Sequence, residues 1–172
     1  MLRMILIETF VVYDTFFYDD GIINPNSKWD LKYATRTVES NGTKFLVTTT
    51  NASARASMNP LDNQTAYDFD AVPLAFEFDL VDYSATGVLN AQFIQATPTT
   101  LSKAFSMKNN SYIGKTIKVV YTGTNLELYV DGVHTGTDLS VTFDSSNKIR
   151  VGFAFGTAND YIIVKNVKAY PI

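Results

Sequence analysis

Apolar and polar side chains alternate with a period of two along much of the chain, and this alternation limits the fold more than any other feature. In the segment LAFEFDLV, Phe76, Phe78 and Leu80 alternate with Glu77 and Asp79. The same period recurs in segments 116–121, 125–130 and 148–156. A period of two is typical of strands with one buried face, whereas an apolar helical stripe, with its period of about 3.6 residues, is absent from every stretch of helical length. The sequence therefore predicts an all-β protein with no long helix.

Turn-forming residues separate these alternating runs. Asp131-Gly132 lies between Val130 and Val133. Both central residues of a type I′ turn need positive φ, which Asp and Gly tolerate better than most residues. We therefore expect a tight hairpin at this position and another turn at residues 122–125.

Two segments do not follow the simple alternation. Residues 51–63 contain Pro60 and are mostly small or polar, which favours a long loop with at most one helical turn. In the last run, DYIIVKNVKAYPI, the apolar positions change parity between Val164 and Val167. A β-bulge near Lys165-Asn166 would return the apolar side chains to one face.

Composition and charge exclude several classes of protein. The 172 residues suit a single domain spanning residues 1–172. The formal net charge is −3 and the 14 Lys and Arg are scattered, so nucleic acid is not an expected partner. Without cysteine, the chain has no disulfide scaffold and no cysteine nucleophile. The apolar stretch at the N-terminus ends at Glu8, so neither a signal peptide nor membrane insertion is expected.

Three segments together carry a resemblance to a known superfamily. They are YDDG at 18–21, TIKVVYTGTNLELYVDGV at 116–133 and YIIVKNVKAY at 161–170. In this order they resemble the concanavalin A-like lectin/glucanase superfamily, which includes laminin G-like domains and jelly-roll carbohydrate-binding modules. The resemblance implies a β-sandwich of two antiparallel sheets, one of them concave, with segment Phe10–Phe17 beside Tyr161–Tyr170. The periodicity agrees, because strands without helices must bury their apolar faces against another sheet.

The resemblance also implies a candidate catalytic strand. Retaining glycosidases of this superfamily carry a Glu-x-Asp-x-x-Glu strand, and the matching positions here are Glu77, Asp79 and Asp82. A retaining glycosidase needs a nucleophile and an acid/base whose carboxyl groups lie about 5 Å apart. Asp82 departs from the pattern, because its side chain is one methylene shorter than that of Glu. We therefore expect no catalysis and interpret Glu77 and Asp79 as the polar face of a strand.

The remaining candidates for chemistry are a histidine and several acids. His134 is the only histidine and follows the predicted hairpin turn, where an exposed hairpin residue is expected. Superfamily members often hold a structural Ca²⁺ near the chain ends, which for this sequence implies Asp19, Asp20 and Asp160 as metal ligands. The spacing fits no EF-hand loop, so solvated loop acids are the alternative, and no other cofactor is expected.

Aromatic and amide side chains are the candidates for saccharide binding. A sugar ring stacks its C–H face on an aromatic side chain, while amides bind its hydroxyl groups. Tyr83, Asn90, Gln92 and Tyr129 combine these properties with strand or strand-end positions. Trp29 is the only tryptophan, and we expect it to pack in the core.

The sequence leaves three functions open. The first is a non-catalytic module that binds glycans or a cell surface within an extracellular adhesin, a surface enzyme or a phage receptor-binding protein. The second is a structural or decoration module of a surface or virion assembly. The third is a glycosidase that uses Glu77, Asp79 and Asp82. All three place the chain outside a cytoplasm, at a cell surface or on a virion.

Overall fold

A computed structural model describes residues 12–14, 29–58, 69–95, 101–136 and 139–172. They form two antiparallel sheets. Sheet A has nine strands: β1 (Val12–Asp14), β3 (Ala34–Glu39), β4 (Gly42–Val47), β7 (Leu74–Ser84), β10 (Lys115–Tyr121), β11 (Asn125–Val130), β12 (Val133–His134), β13 (Leu139–Ser140) and β15 (Tyr161–Pro171). Sheet B has six strands: β2 (Trp29–Lys32), β5 (Arg55–Met58), β6 (Phe69–Asp70), β8 (Leu89–Gln95), β9 (Leu101–Ser106) and β14 (Lys148–Phe155).

The longest strands form the centre of sheet A. Its order is β12-β11-β10-β7-β15-β4-β3, with β1 paired to β15 and β13 paired to β11. Sheet B has the order β2-β5-β14-β8-β9, with β6 paired to β14. The only helical element among the described residues is a single 3₁₀ turn at Asn110–Tyr112. No described helix therefore has the length and apolar composition of a membrane span. These observations confirm the predicted all-β sandwich.

An aromatic cluster joins the two sheets. Trp29 and Phe153 of sheet B pack against Phe45, Phe76 and Phe78 of sheet A, with ring centroids 4.5 to 5.8 Å apart in the pairs that join the sheets. All five side chains are almost fully buried, which confirms the core position predicted for Trp29. Burial of each such side chain contributes about 2–3 kcal/mol to stability. The inward half of each alternating strand thus supplies this core.

The predicted turn and bulge are both present. Asp131 and Gly132 have φ of 50° and 80°, as a type I′ turn requires, and β11 and β12 pair on either side of them. Between Lys165 and Lys168 the register with β7 shifts, and Asn166 there has φ of 53°. The bulge keeps the apolar side chains of β15 on the inward face, although their parity changes along the strand.

The predicted contact between the two ends of the chain is confirmed for the described residues. Strand β1 pairs antiparallel with β15, with Val12 opposite Ala169 and Asp14 opposite Val167. The rest of Phe10–Phe17 lies outside the described residues.

The loop predicted for residues 51–63 is wrong in part, because residues 55–58 form strand β5. Pro60 lies outside the described residues. The sequence signal is weak, since the core residues described in this segment are Ala54, directly before β5, and Ala56, whose small side chains give little apolar contrast. A glycine in the neighbouring strand β14 makes its pairing with β5 possible. A Cβ at Gly152 of β14 would lie 2.2 Å from the Ala56 carbonyl oxygen, so only glycine allows β5 to approach this closely.

Candidate functional site

The outer face of sheet B is built from the outward positions of five neighbouring strands. One row across the sheet reads Asp30, Ser57, Gly152, Gln92 and Ala104, each opposite the next. The row on one side of it holds Lys32, Arg55, Ala154 and Asn90. The row on the other side holds Arg150, Ile94 and Ser102. Because period-two alternation points the core residues inward, these polar and small side chains all face away from the core.

A groove of about 370 Å³ lies on this face and is here called groove B. It is lined by Lys32, Ala52, Ser53, Ala54, Arg55, Gln92, Ile94, Ser102, Arg150 and Ala154. Its volume falls within the range of small-molecule clefts, about 300–1,000 Å³. Small side chains account for half of the lining. The space arises where β9, β14 and the turn before β5 present alanine and serine.

Polar groups in groove B are largely withdrawn from solvent. Gln92 and Arg150 are only 7% and 8% exposed, although both lie on outward positions of their strands. The hydroxyl of Ser57, in the same row as Gln92, is buried and has no hydrogen-bond partner among the described residues. A buried polar group that lacks a hydrogen bond, as Ser57 does, gains stability from any group that supplies one.

The charges around groove B are predominantly positive. Lys32, Arg55 and Arg150 line it, and among the described lining residues no aspartate or glutamate offsets them. Arg55 forms an ion pair with Asp30 in the next strand, with Nη2 2.8 Å from Oδ2.

An exposed aromatic ring lies near Lys32, one of the residues that line groove B. Tyr33 follows Lys32 directly, is 43% exposed and has φ of 54°, which is uncommon for a bulky residue. Lys32 Nζ lies 5.6 Å from the centroid of the Tyr33 ring. Backbone strain of this kind is found more often at functional positions than elsewhere.

The outer face of sheet A has a different organisation. Tyrosine hydroxyls donate to carboxylates at three places, at 2.7 to 3.0 Å: Tyr129 to Glu127, Tyr161 to Asp82 and Tyr170 to Glu77. A lysine ammonium lies 4.5 to 5.5 Å from the ring centroid of each tyrosine: Lys118, Lys44 and Lys168 respectively. Tyrosine, lysine and carboxylate thus satisfy one another across this face.

The three carboxylates of the alternative glycosidase interpretation lie on this outer face of sheet A. A register shift in the pairing of β7 with β15 leaves Val81 as an extra residue, which brings Asp82 to the face of Glu77 and Asp79. The three carboxylates therefore share one face of the sheet.

Each of these carboxylates already has partners. Glu77 accepts the Tyr170 hydroxyl at 2.8 Å and forms an ion pair with Lys168 at 2.8 Å. Asp79 accepts from Thr116 Oγ1 and Asn166 Nδ2, both at 2.7 Å. A pocket of about 220 Å³ lies beside Asp79.

Asp82 has a single described partner, the Tyr161 hydroxyl at 3.0 Å. This hydrogen bond and the nearby negative charge raise the pKa of Tyr161 above its ordinary value.

The four residues predicted for saccharide binding do not form one surface. Asn90 and Gln92 lie on the outer face of sheet B, and Gln92 lines groove B. Tyr129 lies on the outer face of sheet A, on the opposite side of the sandwich, beside the exposed His134 ring at 5.2 Å. Tyr83 packs against the core, because the bulge at Val81 inverts its parity, and its hydroxyl reaches Asn110 Oδ1 at 2.7 Å.

Of the residues predicted to bind Ca²⁺, only one can be placed. Asp160 is 3% exposed, and its carboxylate accepts three hydrogen bonds from Thr86 and Gly87 at 2.8 to 3.1 Å. These bonds hold the turn between β7 and β8. Asp19 and Asp20 lie outside the described residues, and no group of three or more His, Cys, Asp or Glu in the described part of the chain could hold a metal ion.

Sequence reasoning missed most of groove B. Lys32, Arg55, Ser102 and Arg150 were not recognised as site residues. A usable signal existed for Arg150, because it occupies the polar parity of an otherwise apolar strand together with Gly152. Strand pairing was needed to bring it beside Lys32 and Ser102.

No protein-family model matches the sequence, and no curated protein matches it. Several solved structures have a similar shape. An alginate lyase from Corynebacterium sp. has a TM-score of 0.49 at 13% identity, covering 80% of this chain and 80% of that one. Domain 4 of AbnA, a GH43 extracellular arabinanase from Geobacillus stearothermophilus in complex with arabinotriose, has a TM-score of 0.39 at 8% identity, covering 94% and 81%.

A third similar structure is a much longer protein. The Trypanosoma rangeli sialidase in complex with 2,3-difluoro-KDN has a TM-score of 0.44 at 14% identity, covering 80% of this chain. The chain spans 26% of the sialidase. The architecture of this protein as a two-sheet antiparallel β-sandwich follows from its own strand pairing.

Proposed function

We propose that this chain is a saccharide-binding module that holds its ligand in groove B and does not cleave it. One observation carries the proposal. A groove of about 370 Å³ on the outer face of sheet B is lined by amide, hydroxyl and cationic side chains, and two of these, Gln92 and Arg150, are more than nine-tenths buried.

The chemistry of groove B suits a sugar. The Gln92 amide can donate to one hydroxyl and accept from another, and Ser102 can do the same from the neighbouring strand. The exposed Tyr33 ring offers a surface on which the C–H face of a pyranose can stack. Such a shallow site supports weak binding, because each hydrogen bond to the ligand replaces one to water.

The position of the carboxylates supports a non-catalytic role. Glu77, Asp79 and Asp82 lie on the outer face of sheet A, whereas groove B opens on sheet B. Among the described residues that line groove B there is no carboxylate. A glycan in groove B therefore meets no acid and nucleophile pair of the glycosidase type.

Binding to a glycan array, followed by calorimetry on the best ligand, tests the proposal. We expect Gln92→Ala to weaken binding by about fivefold to thirtyfold, the loss of one or two hydrogen bonds. The melting temperature should change little, since the Gln92 side chain lies outside the core. Tyr129→Ala is the matched control on the opposite face and should leave the affinity within about twofold.

Two outcomes would redirect the proposal. If Tyr129→Ala weakens binding and Gln92→Ala does not, the ligand lies on sheet A. If no glycan binds at all, a structural or decoration module of a surface or virion assembly becomes the better description.

A glycosidase is the second candidate, favoured by the shared face of Glu77, Asp79 and Asp82 and by the pocket of about 220 Å³ beside Asp79. Release of reducing sugar from a β-glucan by the wild-type chain, lost in Glu77→Gln, would establish it. For either candidate we propose a location outside a cytoplasm, within an adhesin, a surface enzyme or a phage receptor-binding protein.

A further inference from the structure

Gln92 carries a buried amide group that has no hydrogen-bond partner among the described residues. The residue is 7% exposed. Gln95, a glutamine of the same strand, behaves differently. It is 2% exposed, and its amide bonds to the Asp144 N–H and to the carbonyl oxygens of Asp144 and Asn147, at 2.7 to 3.2 Å. Because buried polar groups in proteins are nearly always hydrogen-bonded, the unpaired amide of Gln92 requires an explanation.

The strand register explains why no neighbour satisfies this amide. Gln92 lies directly opposite Gly152 of β14 on one side and Ala104 of β9 on the other. Neither residue has a polar side chain, and Ile94, the next outward residue of β8, has none either. Since β8 has a paired strand on each side, the nearby backbone groups are used in the two ladders. The amide is therefore left to a molecule that enters the groove.

Both polar atoms of the amide face groove B. Gln92 lines the groove, and neither its carbonyl oxygen nor its amino nitrogen is among the unpaired atoms that are sealed from solvent, as the Ser57 hydroxyl is. The rest of the side chain is enclosed, so its rotamers are restricted before a ligand arrives. An acceptor and a donor on the same carbon are thus presented to the groove in a nearly fixed position.

Two hydroxyl groups on adjacent carbons of a sugar ring match this arrangement. One hydroxyl donates to the carbonyl oxygen of Gln92, while the other accepts from its amino group. Hydroxyls that are separated by a further ring carbon stand too far apart to reach both amide atoms in this way. Ala154 and Ile94, which also line the groove, offer apolar contacts to the C–H groups of such a ring.

We infer that the Gln92 amide binds a vicinal diol, so that groove B selects saccharides in which two hydroxyls on adjacent ring carbons are unsubstituted. This inference rests on the proposed function and specifies its ligand class. It favours 1,4-linked pyranose chains, whose internal residues keep the hydroxyls at positions 2 and 3. In 1,3-linked chains the linkage occupies position 3 and separates the remaining hydroxyls at positions 2 and 4.

NMR titration with single-ring ligands tests the inference. Methyl β-D-glucopyranoside has free hydroxyls at positions 2, 3 and 4. Its 2-deoxy and 4-deoxy analogues each keep one adjacent pair, whereas the 3-deoxy analogue keeps none, although each analogue has lost a single hydroxyl. We expect the 3-deoxy analogue to bind about fivefold or more weaker than the parent, the loss of one hydrogen bond. At least one of the other two should stay within about twofold of the parent.

A second series and a direct signal complete the titration. The same analogues of methyl β-D-galactopyranoside cover a sugar with the opposite configuration at position 4. In both series the side-chain amide signal of Gln92 should shift when the parent glycoside is added, because its two polar atoms change hydrogen-bond partners.

Variants then assign the effect to Gln92. Gln92→Met nearly preserves the volume and removes both polar atoms, so the parent and the 3-deoxy analogue should bind equally within about twofold. The melting temperature should not fall, because an unpaired buried polar group is removed. Asn90→Leu is the matched control, since this amide lies on the same strand and the same face but does not line groove B. It should leave the difference between the two ligands in place.

The outcomes separate the inference from the proposed function. The inference fails if the 3-deoxy analogue binds as well as the parent, if all three analogues are equally weak, or if Gln92→Met keeps the difference. It also fails if neither parent binds at about 0.1 M. In each of these cases saccharide binding stands, provided that glycans bind on the array and lose affinity in Gln92→Ala. If no glycan binds at all, the proposed function and the inference fall together.

Discussion

The two outer faces of this sandwich come from the same alternating pattern but have opposite chemistry. On sheet A, tyrosine hydroxyls, lysines and carboxylates satisfy one another at three places. On sheet B, the outward positions leave a groove in which amides, hydroxyls and cations face an open space. Polar side chains that bond to one another and fill a face leave little room for a ligand, whereas a groove provides that room. Strand pairing therefore decides which face is available.

Side-chain size explains much of this difference. The outward residues of sheet A are long and reach across to neighbouring strands, as Lys168 and Tyr170 do toward Glu77. The outward residues at the centre of sheet B include Gly152 and Ala154, which are too small to fill the space above the strands. Long side chains therefore fill the outer face of sheet A, and short ones leave room for groove B on the outer face of sheet B.

Of the substitutions that test the difference between the two faces, Gly152→Ala should lower the stability of the protein most. The added Cβ would lie 2.2 Å from the Ala56 carbonyl oxygen and 2.6 Å from Ser57 Cα, so β5 would have to move. We expect the free energy of unfolding to fall by about 2–3 kcal/mol, a typical cost of overpacking, measured by urea denaturation. Saccharide binding should fall as well, because β5 carries Arg55.

The control for this variant is Ala104→Ser, which adds an atom in the same row of sheet B at a partly exposed position. Its effect on stability should stay within about 0.5 kcal/mol. A Gly152→Ala protein as stable as the wild type would contradict the close approach of β5 to β14.

Glu77→Gln should have an intermediate effect, confined to sheet A. The Glu77 side chain is 19% exposed and holds both Lys168 and the Tyr170 hydroxyl. The amide keeps one hydrogen bond but loses the ion pair, so stability should fall by about 1 kcal/mol, with saccharide affinity unchanged. Chemical denaturation and calorimetry on the same variant measure the two quantities.

A double variant that combines Glu77→Gln with Lys168→Gln tests whether the ion pair accounts for the loss of stability. If the ion pair accounts for the loss, the two single effects will not add, and the double variant will be about as stable as either single one. Simple additivity, or a loss of saccharide affinity in Glu77→Gln, would contradict the division of roles between the faces.

The smallest expected effect concerns pH and Tyr161. The hydrogen bond from its hydroxyl to Asp82 raises the pKa of Tyr161 above the ordinary value of 10.0. A raised pKa in the folded state adds stability that is fully present below pH 10 and is lost as pH rises through the folded-state pKa. Absorbance titration near 295 nm should show one tyrosine titrating late, and Asp82→Asn should bring its titration earlier.

A titration that is the same in Asp82→Asn and in the wild type would show that the hydrogen bond contributes nothing in solution. Tyr161→Phe identifies the signal, because the late-titrating group should disappear with the hydroxyl.

Particular residues show how far sequence reasoning reached into the site. Gln92 was correctly chosen as an outward amide, and it lines groove B. Tyr129 was also correctly placed on a polar face, but that face belongs to the other sheet. Tyr83 faces inward because of the bulge at Val81. Period-two alternation assigns a side chain to one of two faces and contains no information on which sheet that strand joins.

The sequence by itself determined the long alternating strands and their inward faces as far as the bulge at Val81. It also determined the Asp131-Gly132 hairpin, the bulge near Asn166 and the buried position of Trp29. These features depend on local patterns and on backbone preferences of a few consecutive residues. Only the tertiary structure decided that β5 is a strand and that Lys32, Gln92 and Arg150 share one groove. Those residues lie far apart in sequence, and strand order and register, which depend on packing between distant segments, bring them together.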